Sequence, residues 1–257
     1  MKPLTIAGKE FKSRLFLGTG KFASAEEMKQ AVIASGTELV TIALRRVSSQ
    51  EGNKDENLLE AIPSNVKVML NTSGARNAED AVKIAKIAKA AGYDWLKLEI
   101  HPDPNYLLPD PVETFKAAEE LVKMGFTVLP YINADPVLAK RLEEIGVAAV
   151  MPLGSPIGSN QGIKTEAMLR IIIEQANIPV VVDAGLGLPS HAGQAIELGA
   201  SAVLVNSAIA ASGNPKAMAE AFAEAVKASE KALAARPAAV FQTASATSPM
   251  NLFNEVI

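Results

Sequence analysis

A chain of 257 residues with 49% hydrophobic and 21% charged side chains has the make-up of a globular protein with a sizeable core, which excludes a disordered or fibrous chain. It has no cysteine and only two histidines, His101 and His191, so disulfides, thiolate zinc sites, iron–sulfur clusters, a cysteine nucleophile and a His-rich metal site are excluded. A formal net charge of −3 with 5% aromatics and a pI near 5.6 argue against a nucleic-acid-binding surface. The leading class is a soluble enzyme.

No targeting segment is expected at the start, because Leu4-Thr5-Ile6-Ala7 is short and Lys9 and Glu10 interrupt it. Two uncharged stretches, Ile145 to Ile163 and Leu198 to Pro215, approach membrane-span length. Gly, Ser, Asn and Pro break both, so each reads as a strand, a loop and the next helix start. The expectation is a cytoplasmic protein with no membrane partner.

In chain order, Leu4 to Phe11 reads as a hairpin turning at Gly8-Lys9 and placed to plug one end of the main domain. Arg14 to Leu17 opens a series of short apolar runs that are continuous rather than alternating, as strands buried on both faces should be. A helix-like segment ending in glycine precedes five of them: Gly36 before Leu39–Ile42, Gly92 before Trp95–Leu98, Gly125 before Thr127–Leu129, Gly146 before Ala148–Met151, and Gly199 before Ala202–Val205. Glycine fits the left-handed position that ends a helix. Val66 to Leu70 and Ile178 to Val182 complete the set. The intervening helices are expected at Ala78–Ala90, Val112–Lys123, Pro136–Glu144, Thr165–Gln175 and Ser190–Leu198, with Asn77, Asp110, Asp135 and Thr165 as N-caps. Met28, Met124, Met168 and Met218 read as core filler. Eight strand–helix units in this length are the arithmetic of an α/β (β/α)₈ TIM barrel, with a doubly wound sheet as the alternative. The barrel with its hairpin spans 1–236, and 237–257, rich in Ala, Ser and Thr, is expected to be a mobile tail.

Active sites of such barrels lie at the C-terminal ends of the strands. In Trp95-Leu96-Lys97-Leu98-Glu99-Ile100, alternation sends Leu96, Leu98 and Ile100 toward the helices and Trp95, Lys97 and Glu99 into the barrel. An inward lysine is costly unless paired or functional. It is either a Schiff-base nucleophile, its pKa lowered by desolvation, or half of a structural ion pair with Glu99. The spacing leaves both open.

Asp183 ends an apolar strand, and the Ala184-Gly185-Leu186-Gly187 turn offers backbone N–H groups to an anion beside an acid/base carboxylate. Asn206-Ser207 follows strand 8. Phosphate sites of this fold are commonly built after strands 7 and 8, so a phosphate-bearing ligand is expected there, bound without a lysine. The uncharged, glycine-rich Met151–Gly162 loop suits close backbone approach. Asn71–Arg76 supplies polar donors, and Arg45-Arg46 could bind a carboxylate. His101 reads as a surface residue and His191 as structural.

These stretches carry a resemblance. Leu44-Arg45-Arg46-Val47, Asn71–Ala78, Trp95–Glu99, Tyr106-Leu107-Leu108-Pro109-Asp110, Val128–Tyr131, Met151–Gly158, Val182–Gly185 and Val203–Ile209, taken in order, resemble the bacterial thiazole synthases of thiamine biosynthesis, from about Ile6 to Leu233. The resemblance implies an enzyme that condenses 1-deoxy-D-xylulose 5-phosphate, dehydroglycine and sulfur into a carboxythiazole phosphate. Sulfur arrives as the thiocarboxylate of a ubiquitin-like carrier protein. By the same resemblance Lys97 is the Schiff-base lysine and Glu99 and Asp183 are the acid/base carboxylates. Substrate and phosphate contacts fall on Gly158, Ala184, Gly185, Asn206 and Ser207. No cofactor or metal is implied, and a homo-oligomer, a tetramer, is. The competing readings are a Schiff-base aldolase or isomerase acting on a sugar phosphate, and a non-catalytic phosphosugar-binding subunit.

Overall fold

The computed structural model describes residues 3–43 and 58–248. Arg45 and Arg46 lie outside them. The hairpin strands β1 (Leu4–Ile6) and β2 (Lys9–Phe11) are antiparallel, with Ile6 opposite Lys9. The turn is therefore Ala7-Gly8, one residue earlier than the sequence pattern suggests. Both residues are left-handed, at φ 47 and 78, the conformation that a two-residue hairpin turn needs to match strand twist.

The remaining strands are β3 (Leu15–Gly18), β4 (Leu39–Ala43), β5 (Lys67–Asn71), β6 (Trp95–Leu98), β7 (Thr127–Ile132), β8 (Met151–Pro152), β9 (Val181–Asp183) and β10 (Ala202–Val205). They form one parallel sheet in the order β8-β7-β6-β5-β4-β3-β10-β9. Parallel bridges Val150–Val180 and Leu153–Asp183 join its two ends. The closed order makes the fold a (β/α)₈ barrel and rules out the doubly wound sheet.

The described helices are α1 (Ala25–Ser35), α2 (Ala78–Ala90), α3 (Pro111–Lys123), α4 (Pro136–Glu144), α5 (Glu166–Gln175), α6 (Pro189–Glu197), α7 (Ser207–Ala210) and α8 (Pro215–Ala234). Asn77, Asp110 and Asp135 cap α2, α3 and α4 by accepting from backbone N–H groups of the first turn. Thr165 does not cap. Its hydroxyl donates instead to the Leu153 carbonyl at 2.7 Å, tying α5 to the loop after β8. Gly36, Gly92, Gly125, Gly146 and Gly199 all have positive φ, as the helix-ending pattern requires.

Two apolar layers arise from strand alternation. Outward residues such as Val40, Ile42, Leu96, Leu98, Ile100, Val128 and Ile132 pack on the helices, together with Met28. Met124 and Met218 pack against that layer from half-buried positions, whereas Met168 is 41% exposed and is not core. Inward residues Phe16, Leu39, Met69, Trp95, Leu129, Val181 and Leu204 form a second cluster with Leu4, Ile6 and Phe11 of the hairpin. Phe11 meets Phe16 and Trp95 edge-on, at 5.4 and 5.9 Å between ring centroids. The hairpin thus stoppers the N-terminal end of the barrel, leaving the other end for chemistry. Residues 237–248 carry no helix or strand and are exposed. Among the described residues no helix is long and apolar enough to cross a membrane.

Candidate active site

One residue pair further along each inward row, the apolar filling gives way to Lys97, Tyr131 and Asp183, two positions beyond Trp95, Leu129 and Val181. Lys97, Glu99 and Asp183 are all buried. The Lys97 ammonium contacts Asp183 Oδ2 directly and lies 3.1 Å from Glu99 Oε1. Its charge also sits over the Tyr131 ring, 5.6 Å from the centroid. Thr72 fixes the carboxylate arm: its hydroxyl donates to the Glu99 carbonyl and accepts from the Glu99 N–H, each at 2.8 Å. The Asn71–Arg76 segment therefore positions Glu99 through backbone bonds, as well as lining the cavity with Asn71 and Ser73.

His101 is not the surface residue that the sequence suggests. It is 7% exposed, with Nδ1 3.0 Å from the Leu107 carbonyl and Nε2 3.1 Å from Glu99 Oε2. The loop after β6 folds back through Leu107, at φ 52, and brings that carbonyl over the ring. Both ring nitrogens therefore face oxygen atoms, the Leu107 carbonyl on one side and the Glu99 carboxylate on the other. His191 is structural as expected, with Nδ1 accepting from the Gly187 and Leu188 N–H groups. The Gly187 N–H is consumed there and does not face a ligand.

Electrostatics separate the two carboxylates. Burial raises the pKa of Glu99, but Lys97 and the His101 hydrogen bond outweigh it and hold the carboxyl down at about 2. Asp183 goes the other way: burial raises it, and the pull of Lys97 does not bring it back, with Glu99 adding repulsion. Burial would lower Lys97, yet the attraction of Asp183 and Glu99 wins and raises it. The expectation of a desolvation-lowered lysine is thus overturned, because two anions oppose burial. Lys97 rests as an ammonium, and a free amine requires a proton acceptor beside it. Burial and the same two anions raise Tyr131, keeping its hydroxyl protonated. That hydroxyl is buried without a hydrogen-bond partner among the described residues. In the sequence Tyr131 stands only at the end of the Val128–Tyr131 motif with no role at the site, although its inward position two residues beyond Leu129 is readable there.

The triad lies at the floor of a cavity of about 330 Å³. Gly158, Ala184, Gly185, Asn206 and Ser207 line the same cavity, so the three chemical residues and the five substrate contacts implied by the resemblance border one space, whereas Gly187 does not. Ala184 and Gly185 are consecutive left-handed residues, at φ 60 and 75. A Cβ on Gly185 would stand 1.8 Å from Ser155 Oγ, so the β8 and β9 loops touch through a position only glycine fills. Asn206, which lines the cavity, also holds the end of β3. With its nitrogen toward β3, its side chain donates to the Gly18 carbonyl at 3.2 Å and the Gly20 carbonyl at 2.7 Å. Among the described residues no group of three His, Cys, Asp or Glu side chains could hold a metal ion.

Comparison with known proteins bears on this geometry. A family model described as thiazole biosynthesis protein ThiG matches residues 5–249. The chain is 61% identical over 254 residues to a thiazole synthase of Syntrophobacter fumaroxidans, covering 98% of both chains. It is 58% identical over 255 residues to one of Klebsiella pneumoniae subsp. pneumoniae, covering 99% of both. A solved chain of the Amycolatopsis orientalis BexX/CysO complex superposes with a TM-score of 0.85 at 32% identity, covering 95% of this chain and 100% of that one. A barrel matched over almost its whole length by the family model, and by relatives named for the reaction, places the chain in the ThiG family of thiazole biosynthesis enzymes.

Proposed function

We propose that the chain is a thiazole synthase that joins 1-deoxy-D-xylulose 5-phosphate, dehydroglycine and carrier-borne sulfur through an imine on Lys97. The observation that carries the mechanism is the split pair of carboxylates around a buried lysine. Groups whose environments push their pKa values apart take opposite acid/base roles. Asp183, the raised carboxyl in contact with the ammonium, takes its proton as the sugar's ketone arrives. The freed Nζ attacks the ketone carbon and a C–N bond forms; Asp183, now the acid, returns its proton to the carbinolamine oxygen, the C–O bond breaks and water leaves to give the imine. Glu99, still ionised, accepts protons from carbon in the later tautomerisations, and His101 shares that proton through Nε2.

The sugar's phosphate lies against Gly158, Ala184, Gly185 and Ser207, which line the same cavity as Lys97, Glu99 and Asp183. The similar chain solved with CysO supports a small protein partner, whose extended tail enters past the Met151–Gly162 loop with its thiocarboxylate. The resemblance further makes the enzyme a cytoplasmic homo-oligomer.

Borohydride reduction of the protein with 1-deoxy-D-xylulose 5-phosphate, followed by intact and peptide mass analysis, tests the reading. The reduced adduct should map to Lys97. Lys97→Ala and Lys97→Arg should both lose the adduct and turnover while remaining folded, since guanidinium stays charged. An adduct on another lysine, such as Lys164, would overturn the assignment, and full thiazole synthesis without any imine would remove the mechanism.

A further inference from the structure

Gly18-Thr19-Gly20-Lys21, which ends β3 and leads out of it, has no part in the site as read from the sequence, yet it is built into it. The Thr19 N–H and hydroxyl both donate to the Thr41 carbonyl of β4, at 3.1 and 2.9 Å. From the other side Asn206, after β10, donates to the carbonyls of Gly18 and Gly20. Neighbouring strands thus brace the segment on both flanks. Lys21 then adopts φ 71, a left-handed conformation that a residue with a Cβ rarely takes. A lysine that only needed solvent would not require such a backbone.

Its side chain leads to the phosphate wall. The Cβ position above Gly158 lies 3.4 Å from Lys21 Nζ and 3.8 Å from Ser207 Oγ. Loops after β3, β8 and β10 therefore converge on one point. Two lysines line the cavity among the described residues. Lys97 is committed to Glu99 and Asp183, whereas Lys21 has no ion pair among the described residues. The cavity is thus polarised, with two carboxylates around Lys97 at the floor and one uncompensated ammonium beside Gly158 and Ser207.

We infer that Lys21 is the cation that binds the phosphate of the sugar substrate, held at the Gly158–Ser207 wall by the braced loop after β3. The inference rests on the phosphosugar reading above and adds the counter-charge which that reading lacked. An ammonium is a point charge suited to phosphate. Placed here it orients the sugar so that the ketone, at the other end, meets Lys97.

The test compares Lys21→Gln and Lys21→Gly with the unaltered protein; the glycine variant suits the left-handed backbone, so folding is not at issue. The concentration of 1-deoxy-D-xylulose 5-phosphate that half-saturates borohydride trapping should rise about 10- to 100-fold in both variants, the range for losing a charge-assisted bond. The half-saturating concentration of unphosphorylated 1-deoxy-D-xylulose should not change. Calorimetric titration with inorganic phosphate should weaken in parallel. It needs neither imine chemistry nor turnover, so it reads Lys21 even if the Lys97 mechanism fails. Unchanged phosphate affinity in both variants, or an equal loss with the unphosphorylated sugar, would overturn the inference.

Discussion

At the scale of single residues, the site depends on where protons are stored. Glu99 sits at about 2 because Lys97 and His101 together overcome its burial. Asparagine at position 101 can keep the bond to the Leu107 carbonyl but not reach Glu99 Oε2 as the Nε2 atom does. In His101→Asn, Glu99 therefore loses the hydrogen bond that helps hold it down, and its pKa rises toward the ordinary value of 4.5. A reaction that needs ionised Glu99 then fails at higher pH than before, so the acid limb of the kcat/KM profile moves upward while the basic limb stays. An unmoved acid limb would show that Lys97 alone tunes Glu99. The resting ammonium on Lys97 also explains why two carboxylates are present. In the proposed mechanism Glu99 keeps its charge, and Asp183, whose pKa burial raises, takes the Lys97 proton.

At the scale of elements, the catalytic end is a set of loops locked to one another by short contacts. Thr165 bonds the loop after β8, Asn206 the loop after β3, and Thr72 the extension of β6. Gly185 is the tightest joint. Alanine there would meet Ser155 Oγ at 1.8 Å and the Ser155 carbonyl at 2.7 Å, in a left-handed backbone at φ 75. The conformation by itself costs about 1–2 kcal/mol for a residue with a Cβ, and the carbonyl contact must be relieved by moving backbone. Gly185→Ala should lower the thermal midpoint and weaken phosphosugar binding at least tenfold, since the β8 and β9 loops separate. Wild-type affinity with wild-type stability in this variant would show that the loops can part without consequence.

At the scale of the whole molecule, stability and chemistry occupy opposite ends of one barrel. The hairpin fills the lower end with Leu4, Ile6 and Phe11, so the inner rows need polar residues only at the top. The buried Arg14 guanidinium, 2.8 Å from Glu230 Oε1, ties the start of the barrel to α8. Phe11→Ala should destabilise the protein by about 3–5 kcal/mol, as for other buried phenylalanines. Trp95, the sole tryptophan, packs on that ring and reports the loss in urea unfolding followed by fluorescence. Imine trapping on Lys97 should survive at temperatures where the variant is folded. A loss below about 1 kcal/mol would mean the hairpin only rests on the barrel end.

Much of this was determined by local rules. The glycine after five of the helices needs a left-handed backbone whatever surrounds it, so the strand–helix rhythm was readable along the chain. Period-two alternation, which depends only on pleating, sent Trp95, Lys97 and Glu99 inward and Leu96, Leu98 and Ile100 to the helices. Asn77, Asp110 and Asp135 cap through their own next residues, so their role was also visible. The hairpin turn slipped by one residue because Ala7-Gly8 and Gly8-Lys9 both contain the required glycine, and only strand pairing chooses between them. Tertiary structure alone decided the rest. Asp183 lies 86 residues from Lys97 in sequence, and only barrel closure makes it the second anion that holds Lys97 as an ammonium. His101 became a partner of Glu99 because a loop returned a carbonyl to its far nitrogen. Lys21 reached Gly158 and Ser207 because β3 and β10 are neighbours in the closed sheet. Each depends on side chains from distant segments meeting at one point, and charge and hydrogen-bond balance there are set by distance in space.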